Sequence, residues 1–223
     1  MYLIENEINR LITNKISLRN LKAFSFIIGS NPSKGARSPI LWNKVYEAQG
    51  TRARMLPLDV EETNLRKIIM VLQNEPSCFG GVVAVPYKEK IFAILSDNCT
   101  EAIRHIRAIN CILRRSPNDE VFYCTNTDGE GALEAIAKKL DVETELKIGL
   151  IGYGGAGKAI AAFLQQYSNR HEIFLFNRTL PERKFIDTLK INTMKLKSFA
   201  KVNLNLRIKR KNKDGLRGKF KII

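Results

Sequence analysis

The sequence predicts an α/β protein of two lobes. Short apolar runs alternate with amphipathic helical stretches over the first 140 residues, and the alternation resumes between Lys147 and Phe176 around a glycine-rich turn. Glycine, proline or polar residues close most of the apolar runs, as strand ends require.

In chain order, Leu21 to Gly29 (LKAFSFIIG) reads as a first buried strand. A polar loop follows from Ser30 to Ser38, then a helix from Pro39 to about Gly50 with apolar residues at helical spacing. Arg52 to Asp59 reads as a second strand and Leu65 to Gln73 as an amphipathic helix. Gly80 to Val85 is a third strand, stopped by Pro86, and Glu89 to Leu95 begins the next helix. Ala108 to Arg114 and Val121 to Cys124 pair as strands around the turn Ser116-Pro117-Asn118-Asp119. Gly129 to Leu140 is a helix leading into the second lobe.

In the second lobe Lys147 to Ile151 (KIGLI) has the short, apolar character of a strand buried in a parallel sheet. Gly152, Gly154, Gly155 and Gly157 then fit G-x-G-x-x-G, with Gly155 as an extra glycine inside it. In that pattern the first glycine allows the tight turn, the second lets the backbone approach a pyrophosphate, and the last lets helix pack on strand. Ala156, Ala159, Ala161 and Ala162 keep the helix slim, and its amino end would point N–H groups and a positive dipole end at phosphate. Glu172 to Phe176 is a second strand ending in Asn177, Arg178 and Thr179, where an NAD site would place an acidic residue. An arginine there suits a ribose phosphate, so NADP is the expected cofactor. The alternative is a packed glycine turn that binds nothing. After Phe176 one helix, Leu180 to Leu189, is recognisable before a basic tail, whereas a doubly wound domain needs about six strands. The expected organisation is therefore a substrate-binding domain at 1–128, a truncated, Rossmann-type NADP-binding domain at 129–190, and a basic tail at 191–223.

Four polar segments of the first lobe lie at strand ends or in the loops after them: Ser38-Pro39, Val85-Pro86-Tyr87-Lys88-Glu89, Ala108-Ile109-Asn110 and Asn126-Thr127-Asp128-Gly129. Open α/β sheets bind ligands in that location. Small polyhydroxylated acids need hydroxyl and amide partners, and oxidising an alcohol needs a group to take its proton. Lys88 and Asp128 could supply that chemistry; their plain alternatives are a solvated lysine and a helix-capping aspartate. His105 and His171 read as surface or structural residues, and Cys111 and Cys124 as small core residues.

Together with the glycine turn and the Asn-Arg-Thr tip, these segments resemble the shikimate dehydrogenase family, NADP-dependent enzymes that interconvert 3-dehydroshikimate and shikimate in aromatic amino acid (chorismate) biosynthesis. The likeness runs over about residues 24 to 190, through V-P-Y-K, A-I-N, N-T-D-G and G-x-G-G-x-G in that order. The resemblance implies that Lys88 is the catalytic lysine shuttling the proton at the reacting hydroxyl, and that Asp128 hydrogen-bonds the same oxygen and orients Lys88. It implies Ser38, Asn110 and Thr127 as partners of the substrate's carboxylate and hydroxyls. Gly152, Gly154, Gly155 and Ala156 would cradle the pyrophosphate, and Asn177, Arg178 and Thr179 the adenosine phosphate.

The sequence departs from the family pattern at Ala36, where the first of two serines is usual, at Ala84 and Val82, where threonine and asparagine are usual, and at Trp42, where histidine is usual. Losing two hydroxyl partners costs about 0.5–1.5 kcal/mol each, so weaker binding of shikimate, or a different acid, is expected. Ser198 to Gly215 resembles the opening strand of the diphosphocytidyl-methylerythritol kinases, with Lys201 and Asn203 at matching places. That family's glycine-rich phosphate loop is absent, so no kinase activity is implied.

Composition sets the outer bounds. A chain of 223 residues, 44% hydrophobic and 8% aromatic, can bury a core. No apolar run approaches the roughly 20 residues that span a membrane, and the first ten residues carry acids where a signal peptide needs a basic region, so a cytoplasmic protein is expected. Cys78, Cys99, Cys111 and Cys124 have no C-x-x-C spacing and only two histidines are present, which argues against a metal site or disulfide framework. The net charge of +15 is concentrated at one end: residues 190–223 hold 12 Lys or Arg against one acid, and residues 1–189 hold 25 against 21. The nearly balanced body argues against nucleic acid as a partner of the lobes. Three functions are thus open: an NADP-linked shikimate dehydrogenase, an inactive remnant that binds a small acid or nucleotide, or a basic module that binds nucleic acid through its tail.

Overall fold

The computed structural model describes residues 2–139, 144–167, 171–177 and 192–195. The chain divides into two compact units, 1–126 and 127–223.

The first unit runs α1 (Tyr2–Leu11), β1 (Ala23–Gly29), α2 (Ser38–Ala48), β2 (Ala53–Asp59), α3 (Leu65–Gln73), β3 (Cys78–Val83), α4 (Lys88–Leu95), α5 (Glu101–Ile106), β4 (Cys111–Leu113) and β5 (Tyr123–Thr125). Its sheet has the order β2-β1-β3-β4-β5. β1 is parallel to β2 and β3, while β4 and β5 add an antiparallel hairpin. Stepping from β1 to β2 and then back across β1 to β3, right-handed crossovers put α2 and α3 on opposite faces. β1 is therefore covered twice, which is why it reads as a continuous apolar run: Phe24, Phe26 and Ile28 are fully buried on one face. On the other, the Ser25 hydroxyl meets the Tyr46 hydroxyl of α2 at 3.2 Å.

α1 was not anticipated, although Ile4, Ile8 and Leu11 repeat at helical spacing and Ile8 is fully buried. The Glu5 carboxylate accepts the Leu18 N–H at 2.7 Å, and Asn9 exchanges two hydrogen bonds with the backbone of Ile16. The intervening chain lies along β2, where Thr13 N–H donates to the Asp59 carbonyl at 2.8 Å and Asp59 N–H to Asn14 Oδ1 at 2.9 Å. A free strand edge is thereby covered.

The second unit contains α6 (Asp128–Ala137), β6 (Lys147–Ile151), α7 (Gly155–Tyr167), β7 (Glu172–Asn177) and β8 (Asn192–Lys195), with an all-parallel sheet in the order β6-β7-β8. Its core joins Leu133 of α6 to Ile148 and Leu150 of β6, Ala161 and Leu164 of α7, and Ile173 and Leu175 of β7. β8 falls where a basic tail was expected to begin. Four residues, three of them polar, offer no periodicity to read, and their extended form comes from pairing with β7. The expected helix from Leu180 to Leu189 lies outside the described residues, as does the Ser198 to Gly215 segment.

Candidate active site

The carboxyl edge of the parallel strands in the first unit is drawn together by backbone bonds that cross between loops. Val60 N–H donates to the Gly29 carbonyl at 2.9 Å and Ala84 N–H to the Ile28 carbonyl at 2.8 Å. The ends of β1, β2 and β3 thus form one rim. A Cβ added at Gly29 would lie 3.1 Å from the Ala84 Cβ and 3.4 Å from Pro32 Cδ, so the loop after β1 rests against the end of β3.

Lys88 is the first residue of α4 and half-buried. It follows a cis Val85-Pro86 bond. Its carbonyl accepts the Ile109 N–H at 2.9 Å, which seats the start of α4 beside the segment entering β4. Asn110, 9% exposed, is fixed through its backbone, its carbonyl accepting Val83 N–H at 2.8 Å and its N–H donating to Thr125 at 3.2 Å. Lys88 and Asn110 are therefore brought to the same rim. The Asn126 side-chain amide donates to the Ala108 carbonyl at 2.9 Å and holds the next loop to the same segment. Ser38 opens α2, half-buried. Ala36 and Ala84 are also half-buried, and Trp42 is 47% exposed with its ring 6.0 Å from that of Tyr46.

Two residues that sequence reasoning did not single out organise this rim. The Tyr87 phenol, whose pKa burial raises, donates to the Val60 carbonyl at 2.6 Å and ties the residue before Lys88 to the end of β2. Asp59 is buried, and its carboxylate accepts the Ser33 N–H at 2.8 Å and the Ser33 hydroxyl at 2.5 Å, which anchors the loop after β1. Tyr87 lies inside V-P-Y-K, but nothing in the spacing says that its ring points inward. Ser33 and Asp59 carry no local signal at all, because their pairing spans two strand ends.

Thr127 and Asp128 open the second unit. Thr127 is exposed at the amino boundary of α6, and its carbonyl accepts the Gly131 N–H at 3.0 Å. Asp128 is half-buried and occupies the first helical position rather than the cap, where a carboxylate is favoured by the helix dipole.

Further along that unit, Gly152 has φ +97 and donates its N–H to the Phe176 carbonyl at 2.8 Å, which fastens the turn after β6 to the end of β7. A Cβ at Gly157 would lie 2.2 Å from the Gly152 carbonyl oxygen, so helix and turn touch there. Around Gly154, by contrast, an added Cβ meets nothing within 4 Å. Gly154 and Ala156 are exposed, and Gly155 begins α7. An open, glycine-lined helix start of this form suits a pyrophosphate. Asn177 ends β7 beside this turn, whereas Arg178 and Thr179 lie outside the described residues. Among the described residues no cluster of three or more His, Cys, Asp or Glu could hold a metal ion, and no helix is long and apolar enough to cross a membrane.

Residues 27–112 match the family model for the shikimate dehydrogenase substrate binding domain. This chain is a relative of the shikimate dehydrogenases. The shikimate dehydrogenase (NADP(+)) of Carboxydothermus hydrogenoformans is 36% identical over 155 residues, which cover 69% of this chain and 52% of that protein. The shikimate dehydrogenase structure from Aquifex aeolicus superposes with a TM-score of 0.68 at 25% identity, covering 80% of this chain and 64% of that one. A shikimate dehydrogenase solved in complex with NADP+ gives a TM-score of 0.65 at 25% identity, covering 77% and 58% respectively. The chain spans about half the length of the curated relatives it matches.

Proposed function

We propose that this chain is an NADP-linked oxidoreductase acting in the cytoplasm on a shikimate-like hydroxy acid, interconverting shikimate and 3-dehydroshikimate. The observation that carries the reading is the rim of the first unit. Lys88 is pinned there beside Asn110 by the Ile109 to Lys88 backbone bond, within the stretch that matches the family's substrate binding domain.

Lys88 takes the proton from the hydroxyl being oxidised and returns it in the reverse direction, a role worth roughly 10²–10⁴ in rate. Tyr87 holds the start of α4 in place for it. Asn110 and Ser38 hold the acid's carboxylate and hydroxyls. Thr127 and Asp128 are assigned on the resemblance, Thr127 to a hydroxyl and Asp128 to the reacting oxygen. The open turn at Gly152, Gly154, Gly155 and Ala156 supports a pyrophosphate site, with Asn177, Arg178 and Thr179 assigned to the adenosine phosphate. The cofactor, when bound, supplies the two-electron chemistry. The domain division into 1–128, 129–190 and 191–223 remains part of this proposal.

The test is NADPH formation by the purified full chain at saturating shikimate, followed by absorbance, alongside thermal midpoints with shikimate and with NADP+ alone. Turnover that disappears in Lys88→Ala while both ligands still raise the midpoint is the expected result. Ligand-induced stabilisation without turnover reduces the function to binding, and no response to either ligand from folded protein overturns the proposal.

A further inference from the structure

Cys99 and Cys124 are distant in sequence and adjacent in space. Cys99 follows the short turn after α4, and Cys124 is the middle residue of β5. An isolated parallel bridge pairs them. Neighbouring strands lie about 4.7–4.9 Å apart, inside the roughly 4.4–6.8 Å between Cα atoms that a disulfide accepts. Bridge partners also send their side chains to the same face. Cys99 Sγ donates to the Leu95 carbonyl at 3.3 Å and Cys124 Sγ to the Phe122 carbonyl at 3.9 Å, and the two thiols are near enough for each to influence the other's ionisation. Both partners are buried, Cys99 at 8% and Cys124 at 3% exposure.

We propose that Cys99 and Cys124 are a reversible disulfide site that locks the segment between α4 and α5 to β5. The oxidant is a low-molecular-weight disulfide such as oxidised glutathione. One thiol loses its proton and attacks a sulfur of the external disulfide, releasing one small thiolate. The second thiol then loses its proton and displaces the remaining small thiolate, so that two protein thiols become one disulfide and one external disulfide becomes two thiols. Burial raises the pKa of both cysteines, which keeps them protonated at neutral pH and makes exchange depend on local opening of this segment. The consequence reaches the rim, because Thr125, next to Cys124, accepts the Asn110 N–H. A crosslink behind that bond stiffens the support of Asn110.

The test is incubation of the folded full chain with oxidised glutathione, followed by non-reducing peptide mapping by mass spectrometry. The expected product is a peptide pair joined through Cys99 and Cys124, lighter by two hydrogens, reversed by dithiothreitol and still formed in Cys111→Ser. Its thermal midpoint rises above that of the reduced protein. A link through Cys111 or Cys78 in its place overturns the assignment, as do stable glutathione adducts on either cysteine. So do unmodified thiols in folded protein when a urea-unfolded control reacts, and a crosslink that leaves the midpoint unmoved overturns the locking role.

Discussion

Two glycines three residues apart have opposite jobs. Gly157 is required by packing, since a Cβ there would meet the Gly152 carbonyl at 2.2 Å, whereas Gly154 faces open space. Gly157→Ala should therefore destabilise the second unit by about 1–3 kcal/mol, read as a lower urea midpoint. Gly154→Ala should leave stability within about 0.5 kcal/mol. If the turn holds a pyrophosphate, the same Gly154→Ala protein loses tenfold or more in NADP+ affinity by calorimetric titration, because its methyl occupies the approach. Unchanged affinity would remove the turn from the cofactor site. The glycine pattern was legible in the sequence as a motif, but which glycine serves the fold and which the ligand depends on what stands opposite each one.

At the scale of elements, Arg114 joins three of them. Its buried guanidinium donates to the carbonyls of Gln73 at 2.5 Å, Cys78 at 2.9 Å and Asp119, with longer bonds to Leu72 and Glu75 at 3.4 Å, and lies 4.9 Å from the centroid of the Phe122 ring. The end of α3, the start of β3 and the β4–β5 hairpin are thus held by one cation, at a helix end where positive charge is favoured. Arg114→Met strands those carbonyls and should cost about 2–4 kcal/mol by chemical denaturation. Arg114→Lys should recover only part of that loss, since a single ammonium cannot span the same acceptors. The hairpin itself was legible from Ser116-Pro117-Asn118-Asp119. The Asp119 carboxylate accepts the N–H groups of Arg115 at 3.0 Å and Ser116 at 2.8 Å, the local turn chemistry that composition implied. Arg114 read only as the end of a strand, because its partners come from two other elements.

The stability of the whole molecule should fall in alkali. Burial pushes the Cys78 thiol from 9.0 up to about 12, and burial also raises Cys99, Cys111 and Cys124. Between about pH 9 and 12 the unfolded chain has lost the thiol protons that the folded chain keeps, so stability is full below that window and declines as pH rises through it. Urea midpoints at pH 8 and pH 10.5 should show the drop, and Cys78→Ala should reduce its slope. A flat profile would mean that these thiols are not closed off from water. The alternation of strands and helices, the glycine turn and the order of polar segments along the chain were set by the sequence alone, because local periodicity and backbone permissiveness act within a few residues. The tertiary structure alone decided that Asp59 anchors Ser33, that Tyr87 braces the helix bearing Lys88, that Cys99 lies against Cys124, and that Asn192 to Lys195 is a strand. Each of those depends on groups far apart in the chain, and only the closing of the sheets brings such groups within hydrogen-bonding distance.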